Sequence, residues 1–462
     1  MKAYPIQKLS EVMGGKLIAG NGAQQVESGV ATDTREMASG ALFFALTGEN
    51  FDAHDFLDKA VAAGAAALVV SRLPDGLLLG DCAAIEVDDP LRALQKLAHW
   101  YRGELGAVVI GITGSNGKTT TKDFTTSVIG QRYQVHATKG NLNNHIGLPL
   151  TVLAADEDDE VLVLEMGMNH PGEIAPLCEI ARPHIGIITN IGTAHIEFMG
   201  SREAIAEEKG ALARSLPEVG TLLVTAGCEF ADYFAARTHA RPVAVGNGRG
   251  LIRAEGLSLT QNGSEFELVV DGEEGTHVDL AVAGRHMVNN ALLAAGAGWV
   301  LGLTTDELAG GLEAAMLTRG RLRCFEQRGI TIFDDTYNAN PDSMRAAIDV
   351  VSEQRSSNGN TRTVVLGMMG ELGRFSVEMH QEVGAHAARR GLRVVSVGAV
   401  AADIALGARE AGGRDVEHFD NYEDAVRWLE GGLHEGDVIL FKGSRQAAVE
   451  KVMEAVFPRN EN

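Results

Sequence analysis

The stretch Val108–Thr121, VVIGITGSNGKTTT, constrains this chain more than any other. An apolar run rich in β-branched residues reads as a buried strand, and a Gly/Ser/Asn turn followed by Lys and three threonines reads as a loop opening a helix. Such a loop aims backbone N–H groups and the helix N-terminus at phosphate, while Lys118 neutralises β/γ oxygens and a following hydroxyl reaches Mg²⁺. Ile112 stands where the first glycine of G-x-x-x-x-G-K-[ST] belongs, so the part kept is T-G-x-x-G-K-T, Thr113 to Thr119. The competing reading is a glycine-rich turn with a chance lysine. Strand, Gly-Lys-Thr and helix together favour a nucleoside triphosphate site, and with it an α/β fold built on a parallel sheet.

The following segments keep that pattern. VLVLEMG, IGIITN and TLLVT are short apolar runs alternating with helical stretches, which predicts ligands at the carboxyl ends of the strands. Glu165 ends one such run, where an acid beside a P-loop holds Mg²⁺, although acids also end strands simply to be solvated. His195 follows another in NIGTAHIEFMG, as a metal ligand or a loop cap. In SREAIAEEKGALARSL a helix starting near Ser201 puts Ile205, Lys209, Leu212 and Leu216 on one apolar stripe. A lysine there either snorkels to water or is desolvated into a neutral amine, the only form that reacts with CO₂ to give a metal-binding carbamate.

At roughly 150 residues per domain, 462 residues suggest about three domains. Boundaries are expected near 88 and 317, giving a small α/β domain (1–88), a P-loop domain (89–317) and a Rossmann-like domain (318–462). In the first, GALFFAL, the Ala-rich DKAVAAGAAALVVS and CAAIEVDD read as strand, helix and strand. In the third, TVVLG, LRVVSVG and DVILFKGS alternate with helices, and RQAAVEKVMEAVF reads as the last helix. The run ITIFDDTYNANP sets Asp334 and Asp335 at a strand end, fitting a ribose- or amide-binding loop or an ordinary turn. Arg321, Arg323 and Lys442 in FKGSR are either structural or reach toward phosphate. The Gly-x-x-Gly-x-x-Gly of TVVLGMMGELG is not a dinucleotide fingerprint, which disfavours NAD.

A formal net charge of −22 argues against nucleic acid and gives weight to any Lys or Arg inside a motif. Cys82, Cys178, Cys228 and Cys324 form no C-x-x-C pair, so they read as buried thiols in a reducing cytoplasm and not as a zinc or redox site. No apolar stretch reaches the roughly 20 residues a membrane span needs.

Taken together, these stretches resemble the Mur ligases of peptidoglycan synthesis. The likeness runs through TDTREMASGALFFALTGENFDAHDF, TGSNGKTT, KGNLNNHIGLPLT, EMGMNHPGEI, TNIGTAHIEFMGS, EEKG, GRHMVNNALLAA, DDTYNANPDSM, MGELG and FKGSR. GNLNN-x-IG-x-P and D-x-YNANP are similar to the D-alanyl-D-alanine-adding branch, and the D-N-P-R run of the lysine- or diaminopimelate-adding sister is absent.

The resemblance implies a cytoplasmic, monomeric, ATP- and Mg²⁺-dependent ligase. It would phosphorylate the terminal carboxylate of UDP-MurNAc-tripeptide and join D-Ala-D-Ala to it through an acyl phosphate. Another ligase of the superfamily, tripeptide-forming or folylpolyglutamate synthase-like, is the alternative.

By the same resemblance Gly114, Ser115, Asn116, Gly117, Lys118, Thr119 and Thr120 bind ATP, with Asn290 at adenine, Asp335 at ribose and Arg321 at phosphate. Thr119 or Thr120 with Glu165 holds one Mg²⁺, and His195 with a carbamylated Lys209 holds a second, so Lys118, His195 and Lys209 carry the catalysis. Thr34 and Arg35 touch UDP, and Asn143 and Asn144 the muramoyl peptide. Four positions depart from the family pattern: Met287 for Asn, Met368 for Asp, Arg319 for Pro and Ala53 for Gly.

Overall fold

A computed structural model describes residues 1–48, 51–260, 263–354 and 360–458. Three sheets organise the chain. The first has five strands in the order Lys16–Ala19, Ala83–Glu86, Ala67–Val70, Leu42–Phe44, Val30–Ala31, parallel except where Lys16–Ala19 runs against Ala83–Glu86. The Ala-rich stretch is expected to be helical with Gly64 able to end the helix: the helix does stop there, covering Leu57–Ala62 with Gly64 at φ +85°, but the residues beyond it, ALVV, form a buried strand. The β-branched Val69 and Val70 suit a strand buried on both faces better than a helix.

The central sheet has nine strands, and its middle reads Thr221–Thr225, Ile185–Ile188, Val108–Thr113, Val161–Glu165, Val135–Ala137, all parallel. These strands are mostly apolar because both faces of the sheet are covered. Helices Lys118–Ile129, Arg285–Val300 and Thr305–Glu313 pack on one face through Val128, Leu292 and Leu308. Pro90–Glu104, Gly147–Ala154, Ile174–Ala181 and Arg202–Ser215 cover the other through Leu97, Leu148, Leu177 and Leu212. The far edge is antiparallel: Ile252–Leu259, Ser264–Val270 and Thr276–Leu280 form a meander that the βα reading did not anticipate.

Gly111 sits mid-strand for a packing reason. A Cβ there would lie 3.0 Å from Leu212 Cδ1 and 3.1 Å from Met166 Cε, so glycine lets the helix Arg202–Ser215 settle close onto the sheet. Lys209, one turn toward the helix N-terminus from Leu212, is thereby carried toward the carboxyl ends of the strands.

The third sheet has six strands, in the order Arg323–Gln327, Ile330–Asp335, Val438–Lys442, Arg362–Gly367, Arg393–Val397, Val416–Phe419. All pairs are parallel except the first, a hairpin that the sequence pattern did not reveal. The last helix is shorter than expected, Glu450–Val456, because a 3₁₀ turn at Arg445–Ala447 and Ala448 at φ +42° precede it. Among the described residues no helix is long and apolar enough to cross a membrane.

Candidate active site

The loop after Val108–Thr113 needs its glycines twice over. Gly114 (φ +150°) and Gly117 (φ +80°) hold conformations that L side chains avoid. In addition, a Cβ on Gly114 would strike Thr189, and one on Gly117 would lie 2.6 Å from Asn290 Oδ1. The neighbouring strand end braces the loop: the Ser115 N–H donates to Asn190 O (3.0 Å), the Asn116 N–H to Asn190 Oδ1 (2.9 Å), and the Thr189 hydroxyl to Asn116 O (2.5 Å). Lys118 Nζ donates to Gly114 O at 2.9 Å. Burial lowers its pKa, and the Glu165 carboxylate works against that shift.

Glu165, 2% exposed at the end of its strand, has both carboxylate oxygens occupied. The Thr119 hydroxyl donates to Oε2 at 3.0 Å and Asn143 Nδ2 to Oε1 at 2.8 Å, while Arg321 Nη2 donates to Thr119 Oγ1 at 3.3 Å. Asn143, expected at the peptide, is thus also a brace for this carboxylate. Two hard oxygens side by side at the foot of a P-loop match what Mg²⁺ takes together with phosphate oxygens.

His195 caps the helix Ile196–Met199 at φ +63°, with Nδ1 2.5 Å from Glu371 Oε2 of the C-terminal domain, an ion-pair contact that is short but not aligned as a hydrogen bond. Lys209 does not snorkel. It is fully buried, its Nζ has no hydrogen-bond partner, and burial first, then the charge of Lys118, hold its pKa well below 10.5.

The C-terminal domain closes the other side. Asn340 caps the helix Pro341–Glu353 by accepting from the Ser343 N–H (3.0 Å), and its Nδ2 donates to Asn116 Oδ1 at 2.6 Å. Asp342 accepts from the Thr193 N–H (2.7 Å) and hydroxyl (2.9 Å). Asp335 pairs with the buried Lys442 at 2.6 Å, and the Arg321 guanidinium lies 4.0 Å from the centre of the Tyr337 ring. Burial lowers the pKa of Lys442, opposed by Asp335, and also that of His286.

Between the two domains lies a cavity of about 620 Å³. Its walls include Ser115 to Thr120, Asn143, Asn144, Glu165, His195, Asn290, Arg321 and Asp335, so most of the expected residues share one space. Gly114 and Lys209 do not line it, although Lys209 is close enough to Lys118 to feel its charge. Thr34 and Arg35 are elsewhere, on the N-terminal domain, where exposed Arg35 pairs with Asp33 at 2.5 Å and holds that carboxyl down at about 2.

Of the departures, Met287 lines the cavity, Met368 is half-buried with its carbonyl accepting from the Ser444 N–H, Ala53 is buried and Arg319 is exposed. The sequence reading gave no role to Glu371, Asn340 or His286. Asn-Pro before a helical run does signal an N-cap, but not that the cap reaches the P-loop.

Fold and site define a P-loop nucleotide-binding enzyme of three α/β domains. Three family models match in order: the Mur ligase family catalytic domain over residues 28–102, the Mur ligase middle domain over 112–298 and the Mur ligase glutamate ligase domain over 320–445. The chain belongs to the Mur ligase family. It is 40% identical over 97% of both chains to the UDP-N-acetylmuramoyl-tripeptide–D-alanyl-D-alanine ligase of Bacillus subtilis. Its structure is similar to crystalline MurF from Acinetobacter baumannii, with TM-score 0.91, 31% identity and coverage of 99% and 100%. It also resembles the MurF ligase of Thermotoga maritima in complex with ADP, with TM-score 0.82, 29% identity and coverage of 92% and 96%.

Proposed function

We propose that this chain is the ligase that joins D-Ala-D-Ala to UDP-MurNAc-tripeptide with ATP, working as a cytoplasmic monomer in peptidoglycan synthesis. The observation that carries this reading is a cleft lined by the P-loop lysine Lys118 and the Thr119–Glu165 oxygen pair, with the buried amine of Lys209, which makes no hydrogen bond, close enough to Lys118 to feel its charge. Nucleotide binding alone needs no such amine.

In this reading residues 114–120 cradle the ATP phosphates, Asn290 and Asp335 hold adenine and ribose, and Arg321 joins Lys118 at the γ-phosphate. Residues 1–88 take up UDP through Thr34 and Arg35, 89–317 carry the reacting centre, and 318–462 close it. Asn143 and Asn144 orient the muramoyl peptide. The tripeptide carboxylate attacks the γ-phosphorus and ADP leaves. The D-Ala-D-Ala amine then attacks the acyl carbon, phosphate departs with the acyl C–O bond pair, and the amine gives up its proton as the amide forms. Lys118 follows the phosphoryl group, and its charge counts for most in a cleft that excludes water.

Thr119, Thr120 and Glu165 would hold one Mg²⁺, and His195 with a carbamylated Lys209 a second; the ions would supply charge neutralisation where phosphate and carboxylate oxygens crowd together. For the second site the Lys209 amine attacks CO₂, an N–C bond forms and one proton leaves, giving a carbamate. Burial, which shifts this amine toward its neutral form, supports that step.

The test is phosphate release from ATP and Mg²⁺ with UDP-MurNAc-tripeptide, with and without D-Ala-D-Ala. Release requiring both is the expected result. Release driven by a single amino acid or by glutamate would move the chain to another ligase of the superfamily, and nucleotide binding without turnover would make it a non-catalytic binder.

A further inference from the structure

Six non-glycine residues among those described have left-handed φ, and two of them meet across the domain interface: His195 (φ 63°) and Glu371 (φ 58°). Each such conformation is strained and persists where its surroundings over-determine it, commonly at functional sites. The surroundings of Glu371 do so from both sides. Behind it, the Met369 N–H donates to Nε2 of the fully buried His380 at 2.8 Å, and His380 Nδ1 donates to Ser376 O at 2.7 Å. In front, Glu371 O accepts from the Glu197 N–H at 3.2 Å, on the short helix that His195 caps. Gly373 (φ +50°) permits this approach, since a Cβ there would lie 2.9 Å from Glu197 Cγ. The loop from Met368 to Gly373 is thus built to present one carboxylate to one imidazole nitrogen.

We propose that Glu371 is a positioning residue supplied by the C-terminal domain: its carboxylate keeps the His195 proton on Nδ1 and leaves Nε2 as the nitrogen available to the cleft. A carboxylate on one ring nitrogen fixes the tautomer and ring orientation of the other, and losing such a partner typically costs about 10–100-fold in metal affinity or activity. His195 is then set for its task only when the C-terminal domain is seated. The role of His195 rests on the proposed ligase reading, but its tautomer does not.

The experiment therefore has a substrate-free arm. Glu371→Gly removes the carboxylate at a backbone angle glycine prefers, and Glu371→Gln keeps the side-chain length. Protein labelled with ¹⁵N-histidine is observed at pH 8 without nucleotide or metal, His195 being identified by the signal lost in His195→Gln. The wild type should show a protonated Nδ1 and an unprotonated Nε2, and both variants should shift toward the opposite tautomer. In turnover, both should lose about 10–100-fold in kcat with KM for the UDP substrate within about threefold. His195 signals identical in wild type and both variants, a wild-type proton on Nε2, or a loss confined to KM would overturn the proposal. Absence of D-Ala-D-Ala-dependent turnover in the wild type would instead overturn the ligase reading and leave the tautomer result to be judged alone.

Discussion

Two lysines from two different regions come within electrostatic reach of each other. Lys118 opens a helix at the end of a glycine loop, and its ammonium has a carbonyl partner at 2.9 Å and the Glu165 carboxylate nearby. Lys209 sits in the middle of the helix Arg202–Ser215 with no partner at all, and Lys118 itself pushes it further toward the neutral amine. One environment keeps a cation ready for phosphate, which on arrival would favour the charged form again. The other disfavours the charge and shifts the amine toward its neutral, nucleophilic form. Residue type is the same in both, and what differs is whether anything nearby replaces the water each lysine gave up.

The strongest way to break this contrast is Lys118→Ala. Turnover should fall by about 10³-fold or more, with UDP-substrate binding retained by calorimetry; retained turnover would mean the loop does not hold phosphate. Lys209→Ala should lose about 10²-fold in kcat and recover part of it with added short-chain carboxylic acids, which stand in for the carbamate. Full activity without rescue would show that Lys209 is only a filler.

Lys209→Met sharpens the comparison through stability. A buried amine without a partner costs about 1–3 kcal/mol, so the variant should melt higher than the wild type in CO₂-free buffer while being inactive. The sign with pH follows from linkage. The folded-state pKa is lowered, so between that value and 10.5 the unfolded wild type binds more protons and its stability rises with pH. The advantage of Lys209→Met should accordingly shrink from pH 7 to pH 10, and an advantage independent of pH would show that the amine is not desolvated.

Asn143→Ala should cost about tenfold in kcat by freeing Glu165 Oε1, read alongside a weaker Mg²⁺ dependence. The smallest effect is expected away from both lysines: Arg35→Ala should raise KM for the UDP substrate by less than about tenfold and leave kcat alone.

Much of the cleft was legible because it is local. The loop Gly114 to Thr120, its strand and its helix are contiguous, so spacing alone specifies how lysine and hydroxyls face one ligand. Glu165 and His195 were legible one step further on, as strand ends of a parallel sheet, which must converge. Lys209 was visible as a polar residue on an apolar stripe, but whether it reached water depended on how closely its helix lies on Gly111. Asn143 was read as a substrate contact, and its hydrogen bond to Glu165 was not foreseen, because a bond between residues 22 apart leaves no periodic trace.

The sequence by itself determined the fold class, the phosphate loop and the family, since these rest on short-range pattern: buried runs, turn glycines and a helix start. Tertiary structure alone decided the pairs that cross domains, Asn116 with Asn340, Arg321 with Thr119 and His195 with Glu371. Their partners are 224, 202 and 176 residues apart, and nothing local to either partner records the other. Such contacts exist only once two cores have formed and one domain has closed on the other, because it is that closure which desolvates the cleft and gives each charge its value.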